Sequence, residues 1–409
     1  MIVQQEGATT TFIGVTIAGL AGTHDLTVER GKIVALAPSR QAGGGFITPL
    51  LADCHVHLDK TYTIERIRRS GPAKVDCLFD AIDLMEMDRP NWDGSDIRER
   101  ASRALATAYE AGVGVMRTHI DWTTPEVPTA WHVLNDLKAE WKGRIHIETA
   151  ALVRGDIVLA AGEGIARRVA QDGGVFGAFF YRNPDIVDAV EAMFSLASRH
   201  DLKLDFHVDE GLEAEADGFS LIVDATKRHK MAGRVLCGHA CSLSLRDDDE
   251  LERILSAAAE AGAALVSLPT SNLYLQDRIG GRSPRRRGLA PVKEARAAGM
   301  DVMLASDNVG DAFYPWGDYD PLSILRLAAP VAHVDPDTWI DAITTLPMKI
   351  CGGDDGAFLR VGGAADFIWH EAEDAHDLTM KPQARRVVFR DGRSSGDATT
   401  NGDKHERGN

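Results

Sequence analysis

Between about residue 46 and residue 350, short apolar runs alternate with helix-length amphipathic segments, and this alternation narrows the fold more than any other feature of the chain. The runs are "GFITPLLADCHVH" (45–57), "GVGVMRTHID" (112–121), "RIHIETAALV" (144–153), "GVFGAFFY" (174–181), "LKLDFHVDE" (202–210), "RVLCGHA" (234–240), "AALVSLPTS" (263–271) and "DVMLASDN" (301–308). Each reads as a buried strand. Segments such as "SDIRERASRALATAYEAG" and "DDELERILSAAAEAG" lie between them, apolar at i, i+3 and i+4 and closed by a Gly suited to a helix C′ position. Eight strands alternating with helices predict an α/β fold of the (β/α)8 TIM-like barrel type. A doubly wound sheet is the alternative, but no GxGxxG turn follows an early strand.

The two ends differ in texture from the middle. Residues 1–48, with "TTFIGVTI" and "HDLTVERGKIVALAP", read as short strands and turns, and residues 358–394, with "FLRVGGAADFIWH" and "RRVVFRDGR", read the same way. The expectation is a small β-sandwich domain built from both termini, a barrel over 49–357 and a disordered polar tail over 395–409. The formal charge of −16 excludes a general nucleic-acid or anionic-membrane surface, which needs clustered Lys and Arg. One basic run, "RIGGRSPRRRG" (278–288), reads as a solvated loop, with a wall of the substrate site as the lesser reading. The five cysteines are scattered with no CxxC pair, no leader pattern opens the chain, and no apolar run reaches membrane-span length. A cytoplasmic protein with reduced thiols is expected, with no membrane or nucleic-acid partner; a homo-oligomer is compatible with the sequence.

In a barrel, chemistry sits at the C-terminal ends of the strands. Those ends carry His55 and His57, then His207 and Glu210, then His239, then Asp307 and Asn308. His55 and His57 stand at i and i+2, so in a strand both rings point the same way. Each residue alone is a weak signal, but ligand types ending four separate strands point to a metal. Imidazole and carboxylate suit Zn2+ or Fe2+, and the lack of paired cysteines argues for an open site that activates water. Glu210, just beyond its strand, is the carboxylate placed to move protons.

In this order "CHVHLDK", "RTHID", "FHVDE", "CGHA", "SLPTSNLYLQDR", "RRRGLAPVKE" and "SDNVGDAFYPWGDYDPL" resemble the cytosine deaminase family of the amidohydrolase superfamily, over roughly residues 46–325. The resemblance implies a (β/α)8 barrel, one divalent metal ion, zinc or iron, and hydrolytic removal of an exocyclic amino group from a nitrogen heterocycle. It assigns His55, His57, His207 and Asp307 as ligands, Glu210 as proton shuttle and His239, with Asp307, as the orienter of the attacking water. Two-metal members use a modified lysine at the end of strand four, and the stretch taken for it, "ETAALVRGD", has none.

Two departures bear on substrate. Arg154 stands where the family has a glutamine, and Asn308 where it has a second acid. A guanidinium only donates, so in the pocket it asks for an acceptor-rich edge; the other reading of Arg154 is an outward-facing charge paired with Asp156. Aminopyrimidines such as isocytosine, pterins and oxo-amino triazines are the expected small-molecule substrates. Phe313 or Trp316 could stack on such a ring or equally pack the loop against the barrel, and His119 reads either as a residue near the site in a supporting or substrate-binding role or as a core histidine. The alternative enzyme reading is release of an alkylamine from an s-triazine, or opening of a cyclic amide. A non-catalytic scaffold is disfavoured because the ligand set and Glu210 occur together.

Overall fold

The structure, a computed structural model, describes residues 3–7, 9–71, 73–181, 183–352 and 358–394. The tail expected over 395–409 lies outside the described residues. Eight parallel strands form one sheet: Leu51–Val56, Val113–Trp122, His146–Arg154, Val175–Phe180, Leu204–Val208, Val235–His239, Ala264–Ser267 and Val302–Leu304. Each is hydrogen-bonded to the next in chain order, giving barrel strands one to eight. The seam between strands eight and one closes at its C-terminal end. There Asp307 N–H donates to the His55 carbonyl at 2.8 Å, and Val56 and Asp307 form a parallel bridge.

The amphipathic segments fold as their patterns dictate. Helix Gly94–Ala111 begins at Asp93, whose carboxylate accepts from Ser95 N and Asp96 N, and ends at Gly112 with φ 97°. Helix Asp248–Ala261 begins on an Asp247 cap and ends at Gly262 with φ 70°. Two apolar runs divide where proline intervenes. Residues 45–57 split at Pro49 into Phe46–Thr48, in the terminal sheet, and barrel strand one. Strand seven stops at Ser267, because Pro269 opens a short helix, Pro269–Leu275, at a position where no N–H is missed. The stretch read for a bridging lysine is strand three; strand four, Val175–Phe180, carries no lysine either.

The terminal strands form a single mixed sheet, ordered Arg393–Ser394, Arg386–Arg390, Phe367–His370, Phe46–Thr48, Thr9–Ile17, Leu20–Glu29, Lys32–Pro38, with Val3–Glu6 added to Thr9–Ile17. Its own core includes Phe12, Phe367 and Phe389, with ring centroids 4.8–5.3 Å apart. Phe46–Thr48 leads straight into barrel strand one, and His370 Nε2 lies 3.0 Å from Thr48 Oγ1 at this junction.

Alternation of side chains turns every second residue of a strand into the barrel. Low in the interior, Arg117 donates to Glu148 at 2.6 and 2.8 Å, to Asp205 at 2.7 Å and to the Ile350 carbonyl at 2.9 Å. Lys203 donates to Glu148 at 2.9 Å and to the same carbonyl at 3.1 Å. Two residues further along strands two and five stand His119 and His207, and above them the cluster described next.

Candidate active site

Strands one, five and eight bring four buried ligand-type side chains together. His207 Nε2 lies 3.0 Å from His55 Nε2 and 3.2 Å from His57 Nε2, and Asp307 Oδ1 lies 3.2 Å from His57 Nε2 and 3.6 Å from His55 Nε2. Three ring nitrogens and a carboxylate this close cannot all pair with one another, and both Asp307 oxygens lack a hydrogen-bond partner among the described residues, whereas a cation about 2 Å from each would satisfy all of them. Burial, then the neighbouring rings, push His55 and His207 well below the ordinary imidazole range, and burial with the Lys60 charge lowers His57. All three are therefore neutral, the form that binds metal. Burial opposes ionisation of Asp307, but His57 and His239 hold its carboxyl below the usual range. The residues fit a divalent ion. His55, His119, Asp205 and His207 make a second, overlapping cluster of ligand types just beneath.

The strand ends are bent to achieve this. Asp209, His239 and Asp307 adopt φ of 49°, 69° and 60°, a left-handed region that costs a non-glycine residue of order 1–3 kcal/mol and persists where packing enforces it. Glu210 follows the bend at Asp209. Burial, with the Asp307 charge, pushes its carboxyl up to about 8, so it holds a proton at neutral pH. Its Oε1 lies 3.5 Å from His239 Nδ1, and burial pushes the His239 imidazole down to about 4.

A cavity of about 210 Å3 opens over these groups. His57, His207, Glu210, His239, Asp307 and Asn308 line its depth; Leu78, Ile82, Met85, Leu152, Phe179 and Phe313 form apolar walls. Asn308 Nδ2 donates to Asp311 at 2.7 Å, and burial pushes the Asp311 carboxyl up to about 7. His119 lies behind the cluster and does not line the cavity: its ring is 4.0 Å from that of His55, and its Nε2 is 3.1 Å from Asp205.

Two expected substrate contacts sit elsewhere than a pocket floor. Arg154 reaches the cavity only at its wall, half exposed, with its guanidinium clasped by Asp156 at 2.6 and 3.0 Å. Strand three ends at Arg154, so its side chain emerges where Asp156, in the first turn of the next helix, can pair with it. Trp316 is 57% exposed and does not line the cavity; it packs edge-on against Tyr274 and Tyr314. Phe313 is the aromatic of that loop that faces the cavity. None of residues 278–288 lines it either.

The cavity also contains groups the sequence reading passed over. Buried Lys60 lies 2.5 Å from Asp121 and 5.6 Å from the Phe313 ring centre, and Arg89 joins Asp121 to Glu86. Burial disfavours the Lys60 ammonium, but Asp121 and Asp59 outweigh it and keep the charge. Asp121 was legible, since it stands at i+2 from His119 and i+4 from Arg117 on one strand face. Glu86 and Arg89 were not, because they come from helix Leu78–Asp88 and the short 3-10 helix after it, inserted between strand one and helix Gly94–Ala111.

Residues 148–394 match the model of an amidohydrolase family. A pterin deaminase of Rhizobium rhizogenes is 34% identical over 400 residues, covering 93% of this chain and 91% of that protein. A 5-methylcytosine deaminase from Klebsiella pneumoniae, solved with 5-fluorocytosine, superposes with a TM-score of 0.84 at 23% identity, covering 94% of this chain and 97% of that one. An N-isopropylammelide isopropylaminohydrolase from Burkholderia multivorans gives a TM-score of 0.74 at 25% identity, with coverage of 94% and 97%.

Proposed function

The chain belongs to the amidohydrolase family, and on that footing we propose that it is a metal-dependent hydrolytic deaminase of an oxo-amino heterocycle, with pterins as the favoured substrate class. The observation that carries this reading is the convergence of three neutral histidines and Asp307 beside a carboxyl, Glu210, that is protonated at neutral pH. The likeness to a pterin deaminase supports the substrate class, as do apolar walls on a cavity that admits a flat ring.

His55, His57, His207 and Asp307 would hold one zinc or iron ion. When bound, the ion supplies Lewis acidity that makes a coordinated water reactive near neutral pH. Glu210 gives its proton to the ring nitrogen next to the carbon under attack, takes one from the water and passes it to the departing amino group, which leaves as ammonia, and recovers the remaining water proton as the ring carbonyl forms. His239 orients the water. Leu152, Phe179 and Phe313 hold the ring flat and keep bulk water away. Asn308 meets the ring edge, while Arg154, tied to Asp156, sets the charge of the rim. The free thiols, four of five buried, fit a reducing cytoplasm, and no helix among the described residues is long and apolar enough to cross a membrane.

Metal analysis of purified protein, followed by ammonia release from pterins, aminopyrimidines and aminotriazines, tests the reading. One equivalent of metal and fastest ammonia release from a pterin are expected. Alkylamine release from a substituted triazine without ammonia from any ring, or two tightly held equivalents of metal, would overturn it.

A further inference from the structure

The helix Pro269–Leu275 is short, yet Thr270, Ser271, Asn272 and the following Gln276 are polar and buried. Buried polar side chains in such a position need partners, and three of them find partners at the catalytic groups. The Thr270 hydroxyl donates to the carbonyl of Ser306, the residue before Asp307, at 3.0 Å. The Asn272 amide lies 3.0 Å from His239 Nδ1. Gln276 Nε2 donates to the Glu210 carbonyl at 2.6 Å. The helix and the residue after it thus touch the His239 ring, the Glu210 backbone and the backbone just before Asp307.

The basic run over 278–288 seats this helix. Asp277 accepts from the Arg282 guanidinium at 2.7 Å and from the backbone N–H groups of Arg285 and Arg286, folding the loop back on itself. Gly288, at φ 70°, then packs so closely that a Cβ there would stand 2.3 Å from Gln276 Cβ. The loop's arginines serve a turn that presses on Gln276.

We propose that this helix is the positioning element of the site, with Asn272 fixing the tautomer and orientation of His239 and Gln276 fixing the main chain at Glu210. An imidazole nitrogen paired with an amide is held in one protonation state, so the other nitrogen takes the complementary one. Here Nδ1 is the paired atom, and Nε2, buried and without a protein partner, is the atom left for water or substrate. Asn272 and Gln276 touch no reacting atom, so they are positioning residues whose effect passes through their partners. The kinetic part rests on the deaminase reading; the tautomer part does not.

Two measurements on Asn272→Leu, which keeps bulk and loses the amide, test this. In protein labelled with 15N-histidine, the His239 signals, identified by their loss in His239→Ala, are expected at the separated positions of one tautomer in wild type. They should move toward averaged positions in Asn272→Leu. In turnover, kcat is expected to fall about 10- to 100-fold with KM within about 3-fold and metal content unchanged. In the His239→Ala background the same substitution should change kcat by less than about 3-fold. Unchanged histidine signals, or full additivity of the two substitutions, overturn the proposal. A wild-type protein that releases no ammonia from any ring sinks the deaminase reading alone, and the spectra still decide the role of Asn272.

Discussion

Two polar layers fill the same barrel, and they are built on opposite rules. In the lower layer every guanidinium N–H that meets an acid is spoken for: Arg117 joins Glu148, Asp205 and a carbonyl, and Lys203 repeats two of those contacts. In the upper layer His207 Nε2 meets both His55 and His57 at 3.0–3.2 Å, and both Asp307 oxygens are buried without a hydrogen-bond partner among the described residues. The lower layer pairs both of its cations with acids as folded, and the upper one gathers acceptors that a cation would complete. Saturated burial reads as scaffold and unsaturated burial reads as chemistry.

The comparison can be broken in several places. The largest effect belongs to the upper layer. Glu210→Gln should lower kcat by about 10^2- to 10^4-fold while metal content stays at the wild-type level. Steady-state kinetics beside elemental analysis checks this, and full activity would remove Glu210 from the proton path.

Next comes the lower layer. Arg117→Met leaves Asp205 buried without a cation and Glu148 with Lys203 alone, so unfolding stability should drop by about 3–5 kcal/mol. His207→Gln in metal-free protein should cost much less, about 1 kcal/mol, because it relieves crowding as well as removing packing. Urea unfolding of both metal-free variants decides; equal losses would erase the distinction between the layers.

His370, buried at the junction of the two sheets, sharpens the contrast with a third kind of histidine. Burial, with Arg386 and Arg326 nearby, pushes it down to about 3 from an ordinary value of 6.5. Its folded-state value is depressed, so the unfolded chain binds the extra proton. The stability this group contributes is intact above pH 6.5 and is lost as pH falls toward 3, by up to about 1.4 kcal/mol per pH unit. Replacing it in His370→Gln should flatten the stability profile between pH 6 and 4 by one proton's worth, and an unchanged slope would place the acid sensitivity elsewhere.

The smallest effect concerns the rim. An ion pair as exposed as Arg154–Asp156 is worth about 0–1 kcal/mol. Arg154→Gln should therefore change kcat/KM by less than about 5-fold, and a loss of 30-fold or more would show that the guanidinium leaves Asp156 for the substrate.

Much of this was legible in the sequence because barrels repeat a simple period. The eight apolar runs marked the eight strands, and reading only their last residues was enough to find His55, His57, His207 and Asp307. Regularity also set the limit. The run at 45–57 hid a passage between two sheets because only Pro49 marks it. Lys60, Glu86 and Arg89 belong to a segment whose local pattern says nothing about which wall it will cover. Arg154 illustrates the converse: a long side chain at a strand end beside an acid two residues on can turn to the pocket or to that acid, and sequence alone leaves both open; in the structure it stands at the cavity wall paired with Asp156. The helix at 269–275 was quoted as a motif, yet its first residues read as strand, since a four-residue strand leaves no room for alternation to show where it stops.

The seam of the barrel carries one more consequence. Strands one and eight meet through the Asp307 N–H and the His55 carbonyl, and ligand-type side chains stand on both edges, His55 and His57 from the early part of the chain and Asp307 from the late part. On a translating ribosome the first edge emerges long before the second exists. A chain that lacks its last barrel strand can present the three histidines but never Asp307, so a nascent or truncated polypeptide is born without the full set. Acquisition of an ion would then follow release of the last strand, and the site would record, in its own assembly, that the barrel had been finished.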